Sequence, residues 1–374
     1  MDRGCAERED CELFLNDQFP MMNDQLRLSD FDYELPKELI AQKPLDVRDE
    51  SKLMVLNREN QTIEHHRFFE LPKLLDKDSV LVFNQSRVIP ARLKFRIGEG
   101  NAEILLVKQI GDCIWECMVR PGNKFKPKTD GQMDPDCSYH VKDITEDGLR
   151  IIHFKSADFN AFLKKHGQTP TPPYIKEYNG DAERYQTIYA KTEGSVAAPT
   201  AGFHFTERVF NGLKAKGIQT EFVTLHVGLG TFQPVKIDDV TKHRMHSEWF
   251  SLSDETAKRL NKAKKDGKKI IAVGTTSVRV LESCATYSGG DIGECHLQSM
   301  SGETDIFIYP GYKWKFVDKM ITNFHVPKST LLMLVSSFAS ARNSDGRDFI
   351  LKAYETAKKE NYRFFSFGDS MFIQ

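Results

Sequence analysis

The chain has 374 residues, of which 40% are hydrophobic and 28% charged, and a formal net charge of −1. That size and balance fit a globular protein with room for two domains, and exclude a polyanion binder that works by bulk charge. No apolar run is long enough to span a bilayer, and seven cysteines spread over the chain fit a reduced, cytoplasmic setting better than a disulfide framework.

Residues 1–26 read as a tail. Asp2, Glu7, Glu9, Asp10 and Glu12 come too early for a secretory leader. Pro36–Gln42 opens with proline, as a first helical turn does. Lys52–Asn57 and Ser79–Asn84 are short apolar runs with polar ends and read as buried strands. A polar loop at a strand's carboxyl end is a common ligand position in open α/β sheets. Asn84 and Arg87, which follow the second strand, are therefore candidate substrate contacts.

From Ala91 to His153 the character changes. Arg92–Ile97, Ala102–Val107, Cys113–Val119, Ser138–Val141 and Leu149–Phe154 alternate in polarity, with Gly, Asn and Asp clusters between them. Such spacing predicts a small β-barrel. After Phe159 an α/β pattern returns. Helices are predicted at Asp181–Ala190, Thr206–Lys216, Ser253–Lys265, Val278–Cys284, Ser329–Phe338 and Arg347–Lys358. Strands are predicted at Thr220–Val227, Lys269–Gly274 and Tyr362–Ser366. The fold class is thus α/β: a discontinuous mixed α/β (layered) domain, 27–90 and 155–374, with a small β-barrel domain, 91–154, inserted.

The segment Gly194–Phe205 is almost free of charge, rich in small residues, and ends on a histidine between two phenylalanines. Its composition suits a pocket wall that lets backbone approach a ligand closely. Four polar turns follow apolar strands: Asn84–Arg87, His226–Thr231, Gly274–Arg279 and Asn323–Lys328. Strand, small polar loop, then helix is the layout that builds a crevice site. Walker A, G-x-G-x-x-G and G-x-S-x-G patterns are all missing. His243 and His246 have helical spacing but no evident third ligand, and Cys295-His296 has no matching pair, so no metal is implied.

Several long blocks resemble the S-adenosylmethionine:tRNA ribosyltransferase-isomerase family of the queuosine pathway. They are Tyr185–Ala190, Gly194-Ser-Val-Ala-Ala-Pro-Thr-Ala-Gly-Phe-His-Phe-Thr206, His226-Val-Gly-Leu-Gly-Thr-Phe-Gln-Pro-Val235, Met245–Glu248 and Val273-Gly-Thr-Thr-Ser-Val-Arg279. Thr304–Gly311, Thr322-Asn-Phe-His-Val-Pro-Lys-Ser-Thr-Leu-Leu-Met333 and Tyr362–Asp369 complete the set, which runs from about Leu28 to Phe372. Phe203 stands where leucine is usual, and Val280 where a small hydroxyl residue is frequent. The tail has no counterpart.

The resemblance implies an α/β domain with an inserted barrel. It implies transfer and isomerisation of the ribosyl part of S-adenosylmethionine onto 7-aminomethyl-7-deazaguanine at a tRNA wobble position. Epoxyqueuosine forms, and adenine and methionine leave. S-adenosylmethionine is then a consumed co-substrate, and no cofactor, membrane or obligate protein partner is implied. Such chemistry needs a base near the acidified C5′ hydrogens, an acid for adenine departure and a deprotonated amine. His204, His226, His325 and Asp305 are the catalytic candidates, with Asp305 preferred to Glu303 for its apolar neighbours. Thr275, Thr276, Ser277, Arg279, Tyr309 and Asn323, with Asn84 and Arg87, are the substrate-binding candidates. Arg92, Lys94, Arg96, Lys124, Lys126, Lys258, Lys262 and Lys265 are candidates for tRNA phosphates. A methyltransferase reading would give homocysteine product instead, and a pure RNA-binding module would need none of these loops.

Overall fold

The computed structural model describes residues 26–176, 181–228, 235, 237–288, 294–340 and 346–374. The tail expected at 1–26 therefore lies, except for Leu26, outside the described residues, as do Leu229, Gly230 and Thr231.

A nine-stranded mixed sheet organises the molecule. Its spatial order is Met300–Thr304, Glu248–Leu252, Gln219–Leu225, Ser79–Asn84, Lys269–Val273, Lys319–Asn323, Ser370–Ile373, Lys52–Asn57 and Thr62–Arg67. The four strands Gln219–Leu225, Ser79–Asn84, Lys269–Val273 and Lys319–Asn323 run parallel to one another. Their carboxyl ends therefore share one edge.

These strands are buried on both faces, which explains their nearly continuous apolar runs. Successive side chains go to opposite sides. Val80, Val82, Ile270 and Ala272 join one core, and Leu81, Phe83, Ile271 and Val273 join another. Glu207–Ala215 contributes Val209 and Leu213 to the second core. Asp254–Lys265, Gly274–Cys284, Thr330–Ala339 and Gly346–Lys359 cover the first. Three of these helices start on a hydroxyl cap. Thr206, Ser253 and Ser329 accept hydrogen bonds from the amides of Val209, Thr256 and Leu332, satisfying donors that a helix start leaves open.

A second sheet holds six antiparallel strands, ordered Arg92–Ile97, Gly100–Gly111, Ile114–Arg120, Arg150–Ser156, Cys137–Ile144 and Asp130–Asp134. Phe95 of the first strand meets Tyr139 of the fifth with ring centroids 5.9 Å apart. A flat sheet would hold those strands about 19 Å apart at ~4.8 Å per step. The sheet thus curls into a nearly closed barrel around Leu93, Ile104, Phe125, Tyr139 and Phe154. No described helix is long and apolar enough to cross a membrane.

Three sequence expectations are corrected. Asp181–Ala190 is no α-helix; only Ala182–Tyr185 forms a 3-10 turn, and the Gln186 carboxamide bonds both main-chain groups of Val88 instead. Pro36–Gln42 holds only the 3-10 turn Lys37–Leu39. Tyr362–Ser366 is not a strand: Phe365 has φ +70°, a left-handed value that breaks extended pairing, and the final strand is Ser370–Ile373.

Candidate active site

The segment Gly194–Phe205 crosses the carboxyl edge of the large sheet. Val196 donates its amide to the Val227 carbonyl at 3.0 Å, and the Val227 amide donates to Ser195 Oγ at 2.9 Å. At its far end, His204 reaches the neighbourhood of Asn323. The crossing separates two hollows, and Val227 borders both. The polar turns thus meet along one edge, and three of them line two adjoining hollows, the turn at His226 the wider one and the turns at Thr275 and Asn323 the smaller; Asn84–Arg87 lines neither.

The wider one is a cleft of about 520 Å³ between the barrel and the large sheet. Lys108, Trp115, Glu116 and Met118 come from the barrel side; Gly194, His226, Glu248, Trp249 and Glu303 come from the other. The His226 ring stacks on Trp249 with centroids 5.0 Å apart and planes 19° apart. Its main-chain amide donates to the Trp249 carbonyl at 2.8 Å, which fixes the pair in register. His226 Nδ1 is buried and has no partner among the described residues. Burial lowers the His226 pKa from 6.5 to about 4, so the imidazole is neutral at pH 7. Lys108 Nζ lies 2.7 Å from Glu303, and Ser247 also donates to that carboxylate. The Lys108 hydrogen bond, helped by Ser247, holds the Glu303 carboxyl below its usual range.

Gly194 shows why this wall needs glycine. Its φ is +140°, and a β-carbon built there would lie 2.6 Å from His226 Nε2. Gly194→Ala is expected to destabilise the fold by about 1–3 kcal/mol through backbone strain and collision. It should also move His226 off Trp249. Thermal melting and tryptophan fluorescence check both effects.

The smaller hollow, about 80 Å³, is lined by Ala198, Pro199, Thr275, Thr276, Asn323, His325, Leu331 and Phe365, among others. His325 Nε2 lies 3.2 Å from Thr322 Oγ1, and Nδ1 lies 3.4 Å from the Tyr354 hydroxyl. Burial lowers its pKa to about 3, so it too is neutral. Asn323 Nδ2 donates to the Phe365 carbonyl at 3.1 Å, while Oδ1 is buried without a partner among the described residues.

Other expected site residues are placed elsewhere. His204 borders neither of these hollows; it lines a separate small pocket of about 20 Å³ with Arg48, Ser51 and Phe203, stacks on Phe68 at 4.9 Å, and its Nδ1 lies 2.8 Å from Ser51 Oγ. Arg279 does not present its fork to a ligand. It is buried, paired with the equally buried Glu248, and donates to the Thr304 carbonyl at 3.1 Å. Ser277 Oγ donates back to the Val273 carbonyl at 2.8 Å. Asn84 spends its carboxamide on both main-chain groups of Leu225 and on the Ser86 amide, stitching two strands together. Arg87 pairs with Glu183, and Tyr309 packs on Phe307 at 5.0 Å. Asp305 is exposed and borders neither hollow, despite its apolar neighbours in sequence.

Sequence reasoning missed Trp249 and Lys108, and ranked Glu303 below Asp305. Trp249 directly follows the Met245–Glu248 block, and its indole is 39% exposed on a strand, which marks a surface kept open for a contact. Among the described residues, no group of three His, Cys, Asp or Glu side chains is arranged to hold a metal.

Of the basic residues, Lys94, Arg96, Lys124 and Lys126 are exposed on the barrel. Arg92 lies 3.8 Å from Glu103. Lys258 and Lys262 pair with Asp254 and Asp266 on their own helix segment. That helix ends near Lys265 and leads into the start of the Lys269–Val273 strand, at the sheet edge opposite both hollows. Lys258, Lys262 and Lys265 are therefore not gathered with the site.

A protein family described as queuosine biosynthesis protein matches residues 28–373. A Thermotoga petrophila protein named S-adenosylmethionine:tRNA ribosyltransferase-isomerase is 50% identical over 349 residues, spanning 93% of this chain and 100% of that protein. A Finegoldia magna protein of the same name is 51% identical, spanning 93% and 98%. The crystal structure of S-adenosylmethionine tRNA ribosyltransferase from Thermotoga maritima aligns with a TM-score of 0.52 at 39% identity, covering 92% of this chain and 100% of that one. With the fold, the crossing segment and the match in agreement over nearly the whole length, the chain belongs to the family of queuosine biosynthesis proteins.

Proposed function

We infer that this chain is an S-adenosylmethionine:tRNA ribosyltransferase-isomerase. It moves the ribosyl part of S-adenosylmethionine onto 7-aminomethyl-7-deazaguanine at a tRNA wobble position, isomerises it to give epoxyqueuosine, and releases adenine and methionine. The observation that carries this reading is the wide cleft. Its described wall holds the carboxylates Glu116, Glu193, Glu248 and Glu303; Lys108 pairs with Glu303, buried Arg279 with Glu248 and Lys164 with Glu193, and Glu116 has no ion pair among the described residues. A carboxylate left unpaired on the wall favours a cation, and both reacting partners bring one: the sulfonium and the aminomethyl ammonium.

Trp249 offers a face on which an extruded anticodon base stacks, as loop bases do on aromatic side chains. His226 beneath it is the base, neutral and ready to take a proton from carbon acidified by the sulfonium. Lys94, Arg96, Lys124 and Lys126 on the barrel contact the tRNA backbone. S-adenosylmethionine is consumed, and the chemistry asks for no metal or further cofactor.

The test is release of adenine from S-adenosylmethionine by the purified protein. Adenine and methionine are expected only when tRNA carrying the aminomethyl base is present, and the rate at low tRNA should fall as salt rises. Homocysteine-containing product in their place would sink the reading.

A further inference from the structure

The smaller hollow has a character of its own, and we propose that it is the seat of the adenine base of S-adenosylmethionine. The ribose then passes Val227 into the wide cleft. This assignment rests on the function inferred above and divides its site into two halves.

Size is the first argument. About 80 Å³ of water-accessible space holds on the order of five water molecules. That suits one flat bicyclic base and leaves no room for a whole nucleoside with its amino-acid tail. Wall chemistry is the second. Ala198, Pro199, Val227, Leu331 and Phe365 supply apolar surface for the faces of a ring. Polar atoms come from Thr200, Thr275, Thr276, Asn323, His325 and Ser329, among others, and a ring edge draws on a few of them.

Two of those atoms lack partners among the described residues: Asn323 Oδ1 and Thr276 Oγ1. Buried polar atoms left unpaired are costly, and a group that persists this way points to a partner absent from the free protein. The orientation of the Asn323 carboxamide is fixed by its neighbours, because Nδ2 donates to the Phe365 carbonyl. Its free oxygen accepts only. The 6-amino group of adenine donates. A threonine hydroxyl does either, and so serves a ring nitrogen. Methionine's ammonium and carboxylate would instead call for charged partners, and the hollow's lining holds no Asp, Glu, Lys or Arg.

Location is the third argument. The hollow sits outside the carboxyl ends of Lys269–Val273 and Lys319–Asn323. Nearby, Ser79–Asn84 has later strands on both sides, and the helices Glu207–Ala215 and Asp254–Lys265 lie on opposite faces of the sheet. Crevices at such reversals are where open α/β sheets bind ligands.

The experiment is calorimetric titration of the full chain with adenine, hypoxanthine and methionine separately. Wild type, Thr276→Val and Trp249→Ala are compared. Adenine is expected to bind wild type, and hypoxanthine, with a carbonyl in place of the 6-amino group, at least about tenfold more weakly. Thr276→Val should weaken adenine about tenfold. The variant removes an unpaired hydroxyl at constant shape, so it should melt at or above wild type. Trp249→Ala, in the other hollow, should leave adenine affinity unchanged.

Adenine affinity that falls with Trp249→Ala and not with Thr276→Val overturns the proposal, as does equal binding of hypoxanthine. Methionine binding that responds to Thr276→Val while adenine does not bind overturns it too. Any of these results, in a protein that still releases adenine on modified tRNA, removes only the base seat and leaves the inferred reaction standing.

Discussion

Replacing His226 by alanine is expected to lower kcat by roughly 10²- to 10⁴-fold while KM stays little changed, the size and pattern of a lost general base. The geometry behind this is specific. The ring lies flat on Trp249, is fixed at its main chain, and meets the backbone of Gly194 edge-on. A variant that folds normally and keeps wild-type kcat would remove His226 from the chemistry. The pH profile gives a second check. Burial holds the His226 pKa near 4, so the base form persists through neutral pH. Activity should therefore stay level, as far as this group is concerned, from pH 8 down to about 5.

Stability sets the acid limit of that measurement. His204 and His325 are buried neutral, with pKa values lowered from 6.5 to about 3 by desolvation. Between those values the unfolded chain binds protons that the folded chain does not. Their neutral burial costs nothing above about pH 6.5, and stability falls as pH drops from there toward 3. Urea midpoints at pH 7 and pH 5 should differ in that direction. A midpoint that rises in acid would mean these two histidines are not held neutral.

Much of the scaffold was legible because its signals are local. Ser79–Asn84 is apolar between its polar ends, and burial on both faces follows from that run. Helices after Thr206, Ser253 and Ser329 announce themselves by a cap and an apolar stripe. The carboxyl-edge gathering of four turns was readable too, since strand, turn and helix recur in that order. The failures are non-local. Asp181–Ala190 carries a capping signal and helix formers, yet Gln186 is drawn into two bonds with Val88, 98 residues away. Arg279 looked free because Glu248 is 31 residues off and the pairing is tertiary. Asp305 outranked Glu303 on the strength of apolar neighbours. In the fold, Glu303 is the carboxylate turned to the cleft, held by Lys108 from a separate sheet. Spacing along one strand does not reveal which side chain meets a barrel 195 residues away.

Replacing Arg279 by methionine is expected to destabilise the protein by about 3–5 kcal/mol, a large share of the ~5–15 kcal/mol that holds a domain together. Arg279 and Glu248 are each about 95% buried. Removing the guanidinium takes from the buried Glu248 carboxylate the cation it is paired with, while neutral contacts such as the Gly228 amide at 2.7 Å remain. It also strips the Thr304 carbonyl of its donor. The companion change Glu248→Gln should restore a good part of the loss, because an uncharged pair no longer demands a counterion. A double-mutant cycle in urea reads the coupling directly. If the pair instead served mainly to bind the methionine carboxylate, Arg279→Met would spare the urea midpoint and raise KM for S-adenosylmethionine. The buried geometry predicts the reverse order: stability falls first, and the cleft wall at Glu248 and Gly228 loses its shape as a consequence.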